Sequence, residues 1–223
     1  MELLFPGVAI VVCFTVVCWQ FYSASKRGFN NTSDVVVTGG GLDVLNKRHI
    51  ISLIAMGGLT LYIGFIKNDW LLWRTIPGGT SAVLTLALAS ISFAVSWLLA
   101  SHVMRTYRLT GRIDDSLTGY LTFRCLFIIL YEVFFRAILL SYCLQFTSVP
   151  LAIAINVVLY AGAHAFSTKQ EFWGSVPFGV LLCVLTLYSG SVWPAVLLHL
   201  MLAMPFDTLL LSARKTTSKI FLS

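Results

Sequence analysis

Four ionisable side chains lie inside strongly apolar segments of this sequence, where their types and spacing could do chemistry. Glu132 and Arg136 share one segment, and His164 and His199 each lie in a later one. A glutamate with histidine partners in an apolar bundle can activate a water molecule for hydrolysis, with or without a metal ion. The same groups can also relay protons or bind an ion in a transporter. The spacing alone does not choose between these kinds of chemistry.

Each of these groups also has a purely structural interpretation. Glu132 and Arg136 are four residues apart, so on a helix they share a face and can pair. Pairing reduces the cost of about 2.5–3.5 kcal/mol for placing either charge alone in hydrocarbon. A single intramembrane histidine often only hydrogen-bonds a neighbouring backbone or hydroxyl group.

The composition places these residues in a membrane. The chain has 223 residues, of which 58% are hydrophobic and only 11% are charged, and its mean hydropathy is +0.87. Soluble domains are closer to 25% charged. The net charge of +6 does not indicate nucleic-acid binding, because the sequence has no soluble domain to carry a basic face. The fold class is therefore predicted as an all-α membrane bundle, and no nucleic-acid partner is expected.

Seven apolar segments are long enough to be predicted as transmembrane helices. They are residues 3–22, 50–66, 80–104, 119–146, 149–166, 172–189 and 192–211. The first is interpreted as an uncleaved span rather than a signal peptide, because its basic pair follows the apolar run instead of preceding it. The polar segment 23–49 is interpreted as a loop with a flexible glycine linker. The five cysteines lie in apolar runs and are interpreted as small buried residues.

The basic residues predict the orientation of the bundle. With the N-terminus outside, eleven of the 15 lysines and arginines fall in cytoplasmic segments, two in outer segments, and Arg124 and Arg136 within the fourth span. This distribution predicts seven spans with the N-terminus out and the C-terminus in. Arg124, near a helix end, is expected to snorkel to the interface. His49, in a loop, and His102, at a helix end, are expected to be solvated or interfacial.

Three motifs between residues 130 and 203 carry a family resemblance. They are Tyr-Glu-Val-Phe-Phe-Arg at 131–136, Tyr-Ala-Gly-Ala-His at 160–164, and His-Leu-Met-Leu-Ala at 199–203. In order and spacing they resemble the CPBP family of intramembrane proteases, which includes the CAAX prenyl proteases and bacteriocin-immunity proteins. The motifs of that family are Glu-Glu-x-x-x-Arg, Phe-x-x-x-His and His-x-x-x-Asn. Phe178-Gly179 and the run 188–195 before the last motif also look like the family.

The resemblance implies an activity and a site. The family's substrates are membrane-bound proteins or prenylated peptides. Its first glutamate and two histidines are the proposed water-activating groups, and the asparagine assists them. Carried over by position, His164 and His199 match the histidines. Glu132 matches the second glutamate of the first motif, and Arg136 matches the arginine.

Two positions depart from the family pattern. Tyr131 stands where the first glutamate should be, and Ala203 stands where the asparagine should be. Adjacent helical residues point about 100° apart, so Glu132 does not simply fill the place of residue 131. A phenol is also a poor base at neutral pH. Asp207 lies one turn beyond Ala203 and could partly replace the missing asparagine.

The first functional hypothesis is an intramembrane endopeptidase that cleaves a membrane-associated or prenylated protein. The expected site consists of the catalytic Glu132, His164 and His199 and the supporting Arg136, Tyr131 and Asp207. No cofactor is required by the pattern, and a divalent metal ion, if bound, would use the two histidines. The alternative is a catalytically inactive family member that acts as a membrane binding, immunity or regulatory protein. A proton-coupled transporter is less favoured, because the sequence shows no inverted repeat.

The motifs also divide the chain. Residues 1–118 are expected to form N-terminal spans with cytoplasmic loops, 119–211 the CAAX-protease-like core, and 212–223 a basic cytoplasmic tail. We expect a multi-pass protein of the bacterial cytoplasmic membrane. Its expected partners are the lipid bilayer and a membrane-associated protein or lipidated peptide.

Overall fold

A computed structural model describes residues 4–66, 78–106 and 117–220, and every regular element in these ranges is a helix. The elements are α1 (Leu4–Lys26), α2 (Thr32–Thr38), α3 (Leu42–Ile66), α4 (Gly79–Thr106), α5 (Leu117–Glu132), a π-helical segment (Val133–Leu139), α6 (Leu140–Leu144), α7 (Val149–His164), α8 (Lys169–Ser189) and α9 (Trp193–Ile220). The predicted all-helical fold is therefore confirmed.

Four of the described helices are long and apolar enough to cross a membrane. They are α1, α4, α8 and the part of α9 from Trp193 to Ala213, while α7 is apolar but shorter. A multi-pass membrane protein agrees with these lengths. Seven spans and the outward orientation of the N-terminus stay predictions.

The segment 23–49 is folded, and its interpretation as a flexible loop is wrong. α2 begins at a capping box, in which the Asn31 side chain accepts from the Asp34 N–H and the Asp34 carboxylate accepts from the Asn31 N–H, both at 3.3 Å. These reciprocal bonds satisfy donors that a helix start would otherwise leave open. α2 ends at Thr38 and is capped by Gly39, whose φ of 89° suits glycine. α3 then begins at Leu42, eight residues before the predicted start.

The earlier start of α3 carries two polar residues into the bundle. Arg48 is 4% exposed and His49 is fully buried, so the expectation of a solvated histidine at 49 is wrong. The Arg48 guanidinium lies 4.4 Å from the centre of the Phe21 ring, and the His49 ring stacks 4.9 Å from the Phe127 ring. Aromatic faces thus take the place of the solvent that a loop would have offered.

α4 packs along α9 with an arrangement that suits a lipid environment. The residues that α4 buries are small or weakly polar: Thr85, Ala89, Ser92, Ser96 and Ala100. Its large apolar residues point outward, and Val83 and Leu98 are 70% and 67% exposed. Small residues on the packed face allow close approach of two helices, and large ones on the outer face meet acyl chains.

The last helix runs further than predicted. α9 continues through Pro205 to Ile220, so helix extends into the residues expected to form a basic tail. The first turns of α9 and the middle of the central helix, which is formed by α5, the π-helical segment and α6, belong to one apolar core with α1, α3, α7 and α8. All seven residues of the π-helical segment are buried in it. The central helix is therefore enclosed by its neighbours, and this enclosure positions the polar groups described next.

Candidate active site

The central helix changes its winding where the first motif lies. α5 ends at Glu132, and the next seven residues are π-helical, with the Leu140 N–H bonded to the Phe135 carbonyl. A π-helical stretch inside an α-helix is rare and frequently occurs at functional sites. Here it begins directly after Glu132 and contains Arg136.

Glu132 is fully buried, and both of its carboxylate oxygens have partners. Oε2 accepts a hydrogen bond from Arg136 Nε at 3.2 Å, in agreement with the pairing inferred from the four-residue spacing. Oε1 lies 2.5 Å from Nδ1 of His199 on α9. The carboxylate therefore holds His199 directly, without any rotation of the helix.

The contact with Glu132 fixes the orientation of the His199 ring. A carboxylate accepts hydrogen bonds, so Nδ1 of His199 carries the proton that it donates. The other ring nitrogen, Nε2, remains available as a base or a ligand. His199 also lines a cavity of about 540 Å³, whereas Glu132 lies behind it. This is the arrangement of a histidine base oriented by a buried carboxylate.

Arg136 is held from three further sides. Its Nη1 donates to Oδ1 of Asn156 and lies 3.2 Å from Sγ of Cys183. Its guanidinium carbon lies 4.5 Å from the centre of the Tyr160 ring. These contacts, together with Glu132, engage Nε and Nη1 of the buried cation, whereas Nη2 has no hydrogen-bond partner in the described part of the chain.

Asn156 was missed in the sequence, although it connects two parts of the site. While its Oδ1 accepts from Arg136, its Nδ2 donates to the Phe135 carbonyl in the π-helical segment at 2.6 Å. The signal for it is the spacing on α7, where Asn156, Tyr160 and His164 recur every four residues. Such polar recurrence on one face of an apolar helix indicates a side that faces other polar groups.

Tyr131 occupies the wall of the cavity between the two motif histidines. Its ring centre lies 5.9 Å from that of His164 and 6.0 Å from that of His199, edge-on to both. Its hydroxyl lies 3.4 Å from His164 Nδ1. The first glutamate of the family motif would therefore face both histidines from this position, and a phenol stands there instead.

His164 has its own orienting contact. Nδ1 lies 2.9 Å from the carbonyl oxygen of Tyr160, one turn earlier on α7. Because a carbonyl only accepts, Nδ1 carries the proton and Nε2 is the nitrogen left for chemistry. In the contact between Nδ1 and the Tyr131 hydroxyl, the hydroxyl oxygen is therefore the acceptor. The proton of the hydroxyl is then free to be donated to another group.

Ala203 and Asp207 both line the cavity, with different consequences. Ala203 offers no polar side chain at the position of the family's asparagine. The Asp207 carboxylate accepts from Arg124 Nε at 3.1 Å, so it is engaged with the central helix instead of with a histidine.

The same contact corrects the expectation for Arg124, which was to snorkel to the interface. Its side chain is 20% exposed and pairs inside the bundle, because α9 brings a carboxylate to it.

The predicted pair of histidines does not form a metal site with a third side chain in the described residues. Within residues 4–66, 78–106 and 117–220, no group of three His, Cys, Asp or Glu side chains is arranged to hold a metal ion. The five cysteines lie in these ranges as free thiols; three, including Cys183, are buried as expected, whereas Cys18 and Cys125 are only half-buried. The geometry instead offers two histidines, each with a fixed Nδ1, beside a phenol hydroxyl.

An all-helical bundle with large apolar side chains on its outside is typical of a membrane-embedded protein, and here a glutamate–histidine pair lies beside its internal cavity. Residues 114–204 match the family model described as type II CAAX prenyl endopeptidase, Rce1-like. The match confirms the resemblance over the two fifths of the chain that carry the three motifs. No curated protein and no solved structure matches the chain.

Proposed function

We propose that this protein is a CAAX-protease-like intramembrane endopeptidase that cleaves a membrane-associated or prenylated protein. The observation that carries the proposal is the 2.5 Å contact between Glu132 Oε1 and His199 Nδ1, together with the position of His199 on the cavity wall. The family match over residues 114–204 supports the substrate class. The apolar outer surface supports a site that lies within a bilayer, and the bacterial cytoplasmic membrane remains our expectation for its location.

The proposed chemistry uses the oriented histidine as the base. Nε2 of His199 takes a proton from a water molecule as the water oxygen attacks the carbonyl carbon of the scissile peptide bond. Glu132 stabilises the imidazolium that forms. The proton then passes to the leaving nitrogen as the carbon–nitrogen bond breaks, which yields one new carboxylate and one new amine. Balance therefore requires only water as the second reactant.

The developing oxyanion needs hydrogen-bond donors. The Tyr131 hydroxyl is suited to this role, because His164 commits its own Nδ1 proton to the Tyr160 carbonyl and does not require the phenol proton. Removing one such donor in a hydrolase typically costs about 10²–10³ in rate. In this scheme Tyr131 donates to the oxyanion and does not replace the missing glutamate as a base.

A non-catalytic binding protein is the second candidate, and one observation favours it. Two polar residues of the family pattern are replaced in this chain. Tyr131, which is 1% exposed, replaces the first glutamate, and Ala203, which lacks a polar side chain, replaces the asparagine. A protein that kept the cavity and lost hydrolysis would retain the Glu132–Arg136 pair for stability. It would bind the same kind of membrane-tethered ligand without processing it.

The test is cleavage by the purified protein in nanodiscs. Farnesylated and unmodified membrane-tethered peptides are incubated with the natural protein, His199→Ala, His164→Ala and His102→Ala. His102 is exposed at the end of α4, so its variant is the matched control. We expect processing by the natural protein and by the control, none by His199→Ala, which lacks the base, and slower processing by His164→Ala, which lacks the ring beside the Tyr131 hydroxyl. Equal processing by His199→Ala, or none by the natural protein on either peptide, overturns the proposal.

A further inference from the structure

α4 forms a wall of the cavity, although it lies outside the part of the chain that matches the family. The match begins at residue 114, and α4 ends at Thr106. Five residues of α4 line the cavity, and Ser92 is the polar one among them. The others are Leu88, Ile91, Val95 and Leu99. The hydroxyl of Ser92 has no part in the hydrolysis described above, and it is the group through which the side chains of α4 can hydrogen-bond in the cavity.

The packing of α4 along α9 determines which residues of the two helices are level. Ala89 shares one apolar cluster with Leu198, and residues near the end of α4 share another with Leu210. The two helices therefore run in the same direction and are in contact along this length. Both rise about 1.5 Å per residue. Ser92, three residues after Ala89, is thus level with the turn of α9 that carries His199.

The buried hydroxyl one turn beyond Ser92 lacks a partner. Thr85 and Ser90 of the same helix donate to backbone carbonyls one turn earlier, which is the usual way to satisfy such groups in an apolar helix. Ser96 is fully buried, and its Oγ has no hydrogen-bond partner in the part of the chain that the structure describes. It is level with Ala203, where the family pattern has asparagine. α4 therefore brings hydroxyl groups to the level at which α9 lacks an amide.

The tetrahedral intermediate of the proposed hydrolysis needs more than one hydrogen-bond donor. Oxyanion holes typically hold the negative oxygen with two. The Tyr131 hydroxyl serves as one donor in the proposed chemistry, and Ala203 has no side-chain donor to serve as the second. Ser92 lines the same cavity as Tyr131 and His199. Its hydroxyl carries a proton that rotates to meet an acceptor, so it is suited to this role.

We propose that the Ser92 hydroxyl is the second donor to the oxyanion, beside Tyr131, and replaces the asparagine of the family pattern. Ser92 contacts the substrate oxygen, forms no covalent bond and keeps its proton, so water remains the second reactant. This inference rests on the proposed function, because it takes peptide hydrolysis at His199 as the reaction. It gives a helix outside the family match a part in the chemistry as well as in the scaffold.

The first experiment compares the kinetics of natural protein and three variants in nanodiscs on the farnesylated peptide. We expect Ser92→Ala to lower kcat about a hundredfold with little change in KM, because the donor acts only in the transition state. Ser92→Thr keeps the hydroxyl and should keep most of the rate. Ser90→Ala is the matched control. It removes a hydroxyl that bonds the Leu86 carbonyl on the exposed side of the same helix, and it should change neither constant.

The second experiment separates a donor from a packing role by measuring binding. A farnesylated peptide phosphinate has a tetrahedral, negatively charged group in place of the scissile amide, so it resembles the intermediate. A second peptide has a planar alkene there and cannot be cleaved. We expect Ser92→Ala to bind the phosphinate about a hundredfold more weakly than the natural protein does, and to bind the alkene peptide equally well. Ser92→Cys keeps nearly the same side-chain volume with a weak donor, so it should behave like Ser92→Ala even if the alanine variant packs poorly.

Four results would overturn the inference. An unchanged kcat in Ser92→Ala, with cleavage by the natural protein intact, overturns the donor role alone. Equal weakening of phosphinate and alkene binding assigns Ser92 to packing instead. Labelling of Ser92 by a fluorophosphonate identifies it as a nucleophile activated by His199. Failure of the natural protein to cleave the peptide overturns the proposed function together with the inference.

Discussion

Glu132 and His199 are 67 residues apart in the chain, and their side chains meet at 2.5 Å between Oε1 and Nδ1. The contact joins the end of α5 to the second turn of α9, and Arg136 occupies the other oxygen of the same carboxylate. Glu132 therefore has two effects at once. It neutralises a buried cation, and it orients the histidine that reaches the cavity.

The Glu132–Arg136 pair should be strongly coupled in stability. We expect Glu132→Leu and Arg136→Leu each to lower the free energy of unfolding by about 3–5 kcal/mol, because each strands a buried charge. The double substitution should cost clearly less than the sum, since it removes both charges. Denaturation of the purified protein in mixed micelles measures the cycle. Arg27→Leu, at an exposed position, is the control, and additive effects of the two leucine substitutions would contradict the pairing.

Asn156 should stabilise the π-helical segment. Asn156→Leu removes the acceptor of Arg136 Nη1 and the donor to the Phe135 carbonyl, and each buried group left unsatisfied costs about 1–3 kcal/mol. We expect lower stability and faster amide exchange at 133–140, measured by hydrogen–deuterium exchange with mass spectrometry. Val158→Leu, on the exposed side of the same helix, should change neither. Unchanged amide exchange in Asn156→Leu would show that packing alone maintains the π-helical conformation of residues 133–139.

Gly179 should be needed for close approach of α8 to α7. A Cβ at this position would lie 3.2 Å from Cδ1 of Tyr160, which packs on the Arg136 guanidinium, whereas a Cβ at Gly162 would meet nothing within 4 Å. Gly179→Leu is expected to destabilise the protein by about 1–3 kcal/mol through overpacking, and Gly162→Leu is expected not to. Thermal unfolding of the two variants side by side measures the difference. Equal midpoints would mean that Tyr160 has room to move.

The capping box of α2 should stabilise the part of the cavity wall that Asn31 lines. Asn31→Ala removes the bond to the Asp34 N–H and the bond to Glu171, and loss of an N-cap typically costs about 1 kcal/mol. We expect faster hydrogen exchange at residues 32–38 and easier access of a polar probe to the cavity. Thr38→Ala, whose hydroxyl makes only exposed contacts within its own segment, is the control. Unchanged exchange in Asn31→Ala, or an equal increase in the control, would contradict the role of the cap.

The sequence predicts the helical segments well and the polar contacts between them poorly. Apolar runs identify the long helices because burial in lipid or protein needs only composition and length. The start of α3 was placed too late because Lys47 and Arg48 were counted as loop charges. Arg48 can be buried because its guanidinium packs on the Phe21 ring, a contact that no local sequence pattern reveals.

Likewise, the sequence predicts the contacts of the candidate site within one helix but not those between helices. The pairing of Glu132 with Arg136 follows from their spacing, since both lie on one helix. The contact of Glu132 with His199 and that of Asp207 with Arg124 depend on how α9 packs against α5, which the sequence does not specify. The family motifs identify the helices that carry the site residues. The structure adds that residue 131, and not residue 132, faces the cavity.

Cleavage by the natural protein compared with the Tyr131→Glu/Ala203→Asn variant tests the central claim most directly. Both proteins are assayed in nanodiscs on the same farnesylated peptide, and products are identified by mass spectrometry. We expect the natural protein to cleave through the His199–Glu132 pair, and the variant to cleave more slowly, because it loses the Tyr131 hydroxyl that donates to the oxyanion. Cleavage by the variant alone would contradict the account, since it would mean an intact cavity whose natural form binds without hydrolysing.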